Sequence, residues 1–229
     1  ARYDYTDGEM ADTDGNGQVT AAELAALLPG VHEASRRLYV NPLTLRLYKA
    51  LGKSLTERPE GTVTTYRDTF GTQVQTVARN SHVALENRFV VTQVETRTDS
   101  QTFDGATSVS RSRIAYEYTL GTETEAELEQ VYPGDRPLYI NPATGKAYKT
   151  LLKSLKEQPV EMASVFGPGK TEAALGFDFD ADGSPAGTSI AGALTRSQDI
   201  LGNLTFSASR TKHVILKGRA LTDVANHRS

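Results

Sequence analysis

The sequence predicts an α+β protein of two tandem repeated modules, each a short helix pair plus mainly antiparallel strands. Three observations carry that expectation. The chain repeats itself: residues 38–59, LYVNPLTLRLYKALGKSLTERP, align without gaps with 138–159, LYINPATGKAYKTLLKSLKEQP, with 13 identities in 22 positions. Both copies also carry helix-start chemistry, a Thr-x-x-Glu box and an Asn-Pro pair. Long stretches then alternate polar and apolar residues, as in Arg88-Phe89-Val90-Val91-Thr92-Gln93-Val94-Glu95, the period of a half-buried strand.

Further matches keep the same order. Thr96-Arg97-Thr98 answers Thr195-Arg196-Ser197, and SVSRSR (108–113) answers SASRTK (207–212), both at an offset of 99. Upstream, Tyr3-Asp4-Tyr5-Thr6 answers Tyr116-Glu117-Tyr118-Thr119. Ala22-Glu23-Leu24 with Pro29-Gly30 answers Ala126-Glu127-Leu128 with Pro133-Gly134. Ordered self-similarity at this period places module 1 at 1–113 and module 2 at 114–229.

Each module reads from an aromatic strand into a short helix. Thr20–Glu23 and Thr124–Glu127 are capping boxes, and Pro-Gly ends the helix in both copies. A second helix is expected from Asn41-Pro42 and Asn141-Pro142, with Asn capping and Pro in the first helical position. Tyr48, Leu51 and Leu55, like Tyr148, Leu151, Leu152 and Leu155, then recur at helical spacing. That helix would carry a basic face of Arg46, Lys49 and Lys53, or Lys146, Lys149, Lys153 and Lys156. A solvated face explains those charges. After Pro59 and Pro159 the chain turns to Thr, Val and Gly, which reads as strands and turns.

Residues 12–23, Asp-Thr-Asp-Gly-Asn-Gly-Gln-Val-Thr-Ala-Ala-Glu, carry the most specific chemistry in the chain. Asp12, Asp14 and Asn16 place side-chain oxygens at loop positions one, three and five. Gly17 stands where the chain must turn sharply, Gln18 offers a backbone carbonyl, and Glu23 can close the set with both carboxylate oxygens. Ca²⁺ needs that spacing to gather six or seven oxygens at about 2.3–2.6 Å. The stretch resembles an EF-hand loop, down to an apolar Val19 at the eighth position. An ordinary Asp/Gly/Asn turn uses the same residue types, but not in the full ligand register.

Two features separate the loop from a paired EF-hand. The residues before it, Tyr3 to Ala11, read as a strand and turn rather than a helix. No second complete loop is present to pair with it, which disfavours an opening calcium switch. Between the opening strand and Ala-Glu-Leu, module 1 has 15 residues (Asp7 to Ala21) and module 2 has six (Leu120 to Glu125). Most of the ligands are therefore an insertion in the first copy. Glu127 persists where no loop exists, so capping alone explains Glu23, and ligation and capping are expected together. A second acidic run, Asp178, Asp180 and Asp182 ahead of Gly183, also begins like a calcium loop. Ser189 then stands where a closing carboxylate belongs, so a polar hairpin tip competes with that reading.

Composition removes several classes. There is no cysteine, so disulfides, zinc-thiolate sites and thiol catalysis are excluded. A net charge of −3 gives no basic footprint for nucleic acid. There is no apolar run of transmembrane length and no charged-then-apolar leader, which fits a mature or excised form. His32, His82, His213 and His227 sit in no catalytic motif, and Gly167-Pro168-Gly169-Lys170 reads as a hairpin turn rather than a phosphate loop. The expectation is a calcium-binding structural or assembly protein working outside the cytoplasm, as an extracellular filament, surface-layer, virion or adhesion subunit. Self-assembly through terminal strands, or contact with other protein subunits, would follow. The alternatives are a calcium-stabilised secreted enzyme with its site between the modules, and a calcium sensor.

Overall fold

The computed structural model describes residues 1–58, 60–121, 123–132, 134, 139–148, 151–177, 187–216 and 219–229. Strand accounts for 50% of the described residues and helix for 13%. The expected α+β class with helix-pair modules is thereby overturned in favour of a mainly antiparallel β fold. From the amino end, the elements are β1 (Arg2–Tyr5), α1 (Ala21–Leu27), α2 (Glu33–Arg36), a 3₁₀ turn (Arg37–Tyr39), β2 (Val40–Asn41), β3 (Arg46–Leu47) and β4 (Gly52–Thr56). The middle of the chain forms β5 (Thr62–Arg67), β6 (Gln73–Leu85), β7 (Arg88–Gln101), β8 (Thr107–Tyr118) and α3 (Glu125–Val131). Then come β9 (Ile140–Asn141), β10 (Lys146–Ala147), β11 (Leu152–Glu157), β12 (Pro159–Glu161), α4 (Ala163–Phe166) and α5 (Glu172–Leu175). Last are β13 (Ser189–Ala191), β14 (Ala193–Gln198), β15 (Leu204–Leu216) and β16 (Arg219–Arg228). Among the described residues no helix is long and apolar enough to cross a membrane.

The second helix of each expected module is a β-hairpin followed by a strand. Asn41 does accept from the N–H two residues on, at Leu43 (3.0 Å), and Asn141 from Ala143 (2.9 Å). That bond closes an Asx-type turn as readily as it caps a helix. The turn ends in the left-handed region, at Leu45 (φ 53°) and Gly145 (φ 65°), where a helix cannot continue. Consequently the apolar spacing serves strands. Leu55 stands opposite Tyr3 in the β1–β4 ladder. The basic face dissolves too: Lys53 pairs with Glu9 at 3.4 Å and Lys153 with Glu117 at 3.6 Å. Lys149 lies outside the described residues.

The capping boxes form in both copies. Thr20 accepts from Glu23 N–H and Thr124 from Glu127 N–H, while each Glu returns to the backbone N–H of its Thr. Beyond α1, Gly30 lets the chain pass over β4, since a Cβ there would come within 2.4 Å of the Ser54 Cβ. The repeat extends to a buried threonine hook. The Thr119 hydroxyl donates to Tyr148 O (3.2 Å) and accepts from Leu151 N–H (2.9 Å), and Thr6 does the same with Tyr48 O and Leu51 N–H (3.0 Å). Tyr48 and Tyr148 in turn donate from their backbones to Tyr39 O and Tyr139 O, both at 2.8 Å.

The chain divides into two compact units, and each takes in residues from both sides of position 113. Unit 1 is Ala1–Arg58, Asn80–Thr92 and Tyr118–Leu151; unit 2 is Pro59–Arg79, Gln93–Glu117 and Leu152–Ser229. In unit 1 the core gathers Ala11, Val19, Leu24, Leu28, Val31, Tyr39, Leu47 and Ala84. Each large side chain buried there contributes about 1.5–3 kcal/mol.

Unit 2 holds most of an eight-stranded sheet in the order β16-β15-β14-β8-β7-β6-β5, with β11 also pairing β8. One face packs Leu194 and Ala208 with Val160, Met162, Val165, Phe166, Phe177 and Ile190. The connection Gly167–Lys170 therefore joins the short helices α4 and α5 rather than two hairpin strands, and Lys170 Nζ lies 5.2 Å from the centre of the Phe206 ring. The other face is paved with hydroxyls. Thr64 lies opposite Thr76, whose hydroxyl is 3.2 Å from that of Thr98. Thr98 faces Ser110, Ser110 accepts from Thr195 at 3.1 Å, and Thr195 faces Ser207. None of these six residues is buried.

Candidate metal centre

The loop from Asp12 to Glu23 is anchored at both flanks before any ion is considered. Ala11 is fully buried and donates its N–H to Leu45 O at 2.8 Å, and Val19 is 8% exposed in the same core cluster. The two apolar residues thus pin a polar excursion of the chain. Within it, Gly15 and Gly17 take φ of 73° and 81°, a region open to glycine at little cost. Position six of a cation loop needs that turn.

Carboxylates organise the turn by accepting backbone N–H groups. Asp12 Oδ1 accepts from Asn16 (3.1 Å) and Oδ2 from Gly17 (2.8 Å). Asp14 accepts from the Asn16 backbone (3.1 Å) and from Asn16 Nδ2 (2.8 Å). The Asn16 side-chain oxygen accepts from Gln18 N–H at 2.8 Å. Asp12 is 8% exposed, whereas Asp14, Asn16 and Gln18 are exposed.

Glu23 closes the ring from α1. Its Oε1 accepts from Thr13 N–H (2.7 Å), Thr13 Oγ1 (2.8 Å) and Asp14 N–H (3.4 Å). Its Oε2 accepts from Thr20 N–H and Oγ1, both at 2.8 Å. Hydrogen bonds from Thr20 first, and from Thr13 next, lower its pKa to about 2. One oxygen from each of Asp12, Asp14 and Glu23 lies within 4.8 Å of the other two. Three like charges so close repel one another unless donors or a cation compensate. A divalent ion bound by oxygens is the species that such a set can hold.

Asp12, Asp14 and Glu23 are thus brought together, with Asn16 in the same hydrogen-bonded turn. Thr13 was not singled out in the sequence. Its loop position carries no ligand in a calcium register, and its hydroxyl acts only by holding Glu23 over the turn. Asp178, Asp180 and Asp182 lie outside the described residues.

The histidines lie on separate elements. His32 caps α2 by accepting from Ala34 N–H at 3.3 Å, His82 and His213 lie on β6 and β15, and His227 lies on β16. Unit 2 carries an open groove of about 510 Å³ that includes Arg79, Arg97, Arg111, Glu95 and Asp99. Arg97 is held there by both oxygens of Asp99 at 2.8 Å.

Compared with known proteins, the chain matches no family model, no curated protein and no solved structure.

Proposed function

We propose that residues 12–23 bind one Ca²⁺ ion and that the protein is a structural or assembly component working where calcium is millimolar, outside the cytoplasm. The observation that carries the reading is the convergence of the Asp12, Asp14 and Glu23 oxygens within 4.8 Å on a loop held at both flanks by the core. Asp12, Asp14 and Asn16 would supply side-chain oxygens, Gln18 its carbonyl, and Glu23 the closing carboxylate. The ion would replace mutual repulsion by shared attraction and stiffen the insertion. Exposed sheet edges would then carry contacts between copies.

Isothermal titration calorimetry tests the calcium claim. The expected dissociation constant is about 10⁻⁴–10⁻³ M, the range of extracellular modules. Asp12→Ala and Asp14→Ala should each abolish the heat while leaving the circular dichroism unchanged. A second molar equivalent, removed by Asp178→Ala with Asp180→Ala, would add the other acidic run as a site. No heat from the unaltered protein at millimolar calcium sinks the reading.

A further inference from the structure

We propose that two copies of this chain join through β5, antiparallel and edge to edge about a two-fold axis. The inference rests on the assembly reading above and says where the contact falls. The path of the eight-stranded sheet ends in two outer strands, β16 and β5. They are defended very differently.

The β16 edge carries the devices that keep sheet edges apart. Lys212 pairs with Val224 and His213 with Thr222, which leaves Asp223 as an extra, bulged residue. Arg219, His227 and Arg228 add charge or titratable groups along the strand. Bulges and charges twist an edge away and repel an incoming strand. The β5 edge has no bulge and a single charge, at its last residue, Arg67. All six residues, Thr62-Val63-Thr64-Thr65-Tyr66-Arg67, pair in unbroken register with β6. All six are exposed, Val63 at 50% and Tyr66 at 59%, and the first five carry no charge. A β-branched and aromatic edge left unguarded is a template for another strand.

The second copy is the occupant because the edge complements itself. About a two-fold axis normal to the sheet, paired residues must share a face, so the axis passes beside Thr64 or Thr65. Centring on Thr64 sets Glu60 against Asp68 of the other copy, a like-charge meeting at the strand ends. Centring on Thr65 sets Thr64 opposite Tyr66, Val63 along the Arg67 stem, and Thr62 opposite Asp68. These are aromatic to β-branched and hydroxyl to carboxylate pairs, with no like charges opposed. The contact is isologous and closes as a dimer.

Thr65 meets its own copy, which makes the test specific. Sedimentation equilibrium of the full chain should give about twice the 24.8 kDa of one chain. Thr65→Lys and Thr65→Glu alone should each weaken the dimer on the order of a hundredfold, by like-charge apposition. An equimolar mixture of the two should restore it, which a folding defect cannot do. Circular dichroism and the calcium titration, which reads a loop in the other unit, should match the unaltered protein throughout. If the unaltered chain sediments as a single copy, the assembly reading fails along with this contact. If it assembles but both variants keep its mass, or their mixture stays dissociated, the contact lies elsewhere and only the β5 proposal is overturned.

Discussion

Glu23 is asked to do two jobs by one carboxylate, and its hydrogen bonds divide them. Oε2 caps α1 through Thr20, and Oε1 holds the loop through Thr13 and Asp14. These donors favour the charged form and lower its pKa from 4.5 to about 2. Because the folded value is the lower one, ionised Glu23 stabilises the fold fully above about pH 4.5. That contribution is lost as pH falls towards 2. Carbon-detected NMR should place the Glu23 midpoint near 2, and a midpoint near 4.5 would contradict the geometry. Melting temperature should fall over the same window, and Glu23→Gln should flatten that part of the profile. The acidic cluster was legible at this scale because Asp12, Asp14 and Glu23 lie close together in sequence, each at a fixed loop position. Thr13 was not, because a residue that only orients another leaves no spacing of its own.

At the scale of single elements, local chemistry was readable wherever one hydrogen bond has one meaning. Thr-x-x-Glu produced capped helices at Thr20 and Thr124. Asn-Pro misled because an Asn side chain accepting from the N–H two residues on suits both a cap and a turn. The discriminating signal was Gly145, whose counterpart is Leu45, since both positions take positive φ. Glycine in a supposed helix interior costs about 1 kcal/mol against alanine, so its presence in one copy argued for a turn in both. The buried hydroxyl of Thr119 has a corresponding test. Thr119→Val removes the acceptor for Leu151 N–H while keeping the shape. Leaving a buried donor unmet costs about 1–3 kcal/mol, so the melting temperature should drop by several degrees. Thr119→Ser, which keeps the oxygen, should restore most of it; equal losses in the two variants would assign the effect to packing instead.

For the whole molecule, the repeat was visible in sequence while the sheet that it builds was not. The Ser110–Thr195 hydrogen bond joins residues 85 apart, and nothing local in either strand announces the other. Alternation marks β7, β8, β14 and β15 as strands, yet strand order depends on which faces bury together, and here one face sets its apolar pairs, Tyr66 with Val74 and Val94 with Ile114, among hydroxyls. Contacts this distant also divide the chain differently from its repeats, so that residues 12–23 and β14–β16 fall in different compact units. Calcium should therefore act unevenly. A ligand at a hundred times its dissociation constant stabilises the state that binds it by about 2.7 kcal/mol. Amide hydrogen exchange reads that gain segment by segment. With calcium rather than chelator, protection should rise over 6–58, where the loop, α1 and their core partners lie. Exchange over 193–198 and 204–214 should stay unchanged. Equal slowing in both regions would mean that the two units unfold as one, and slowing in neither would detach the loop from the stability of the fold.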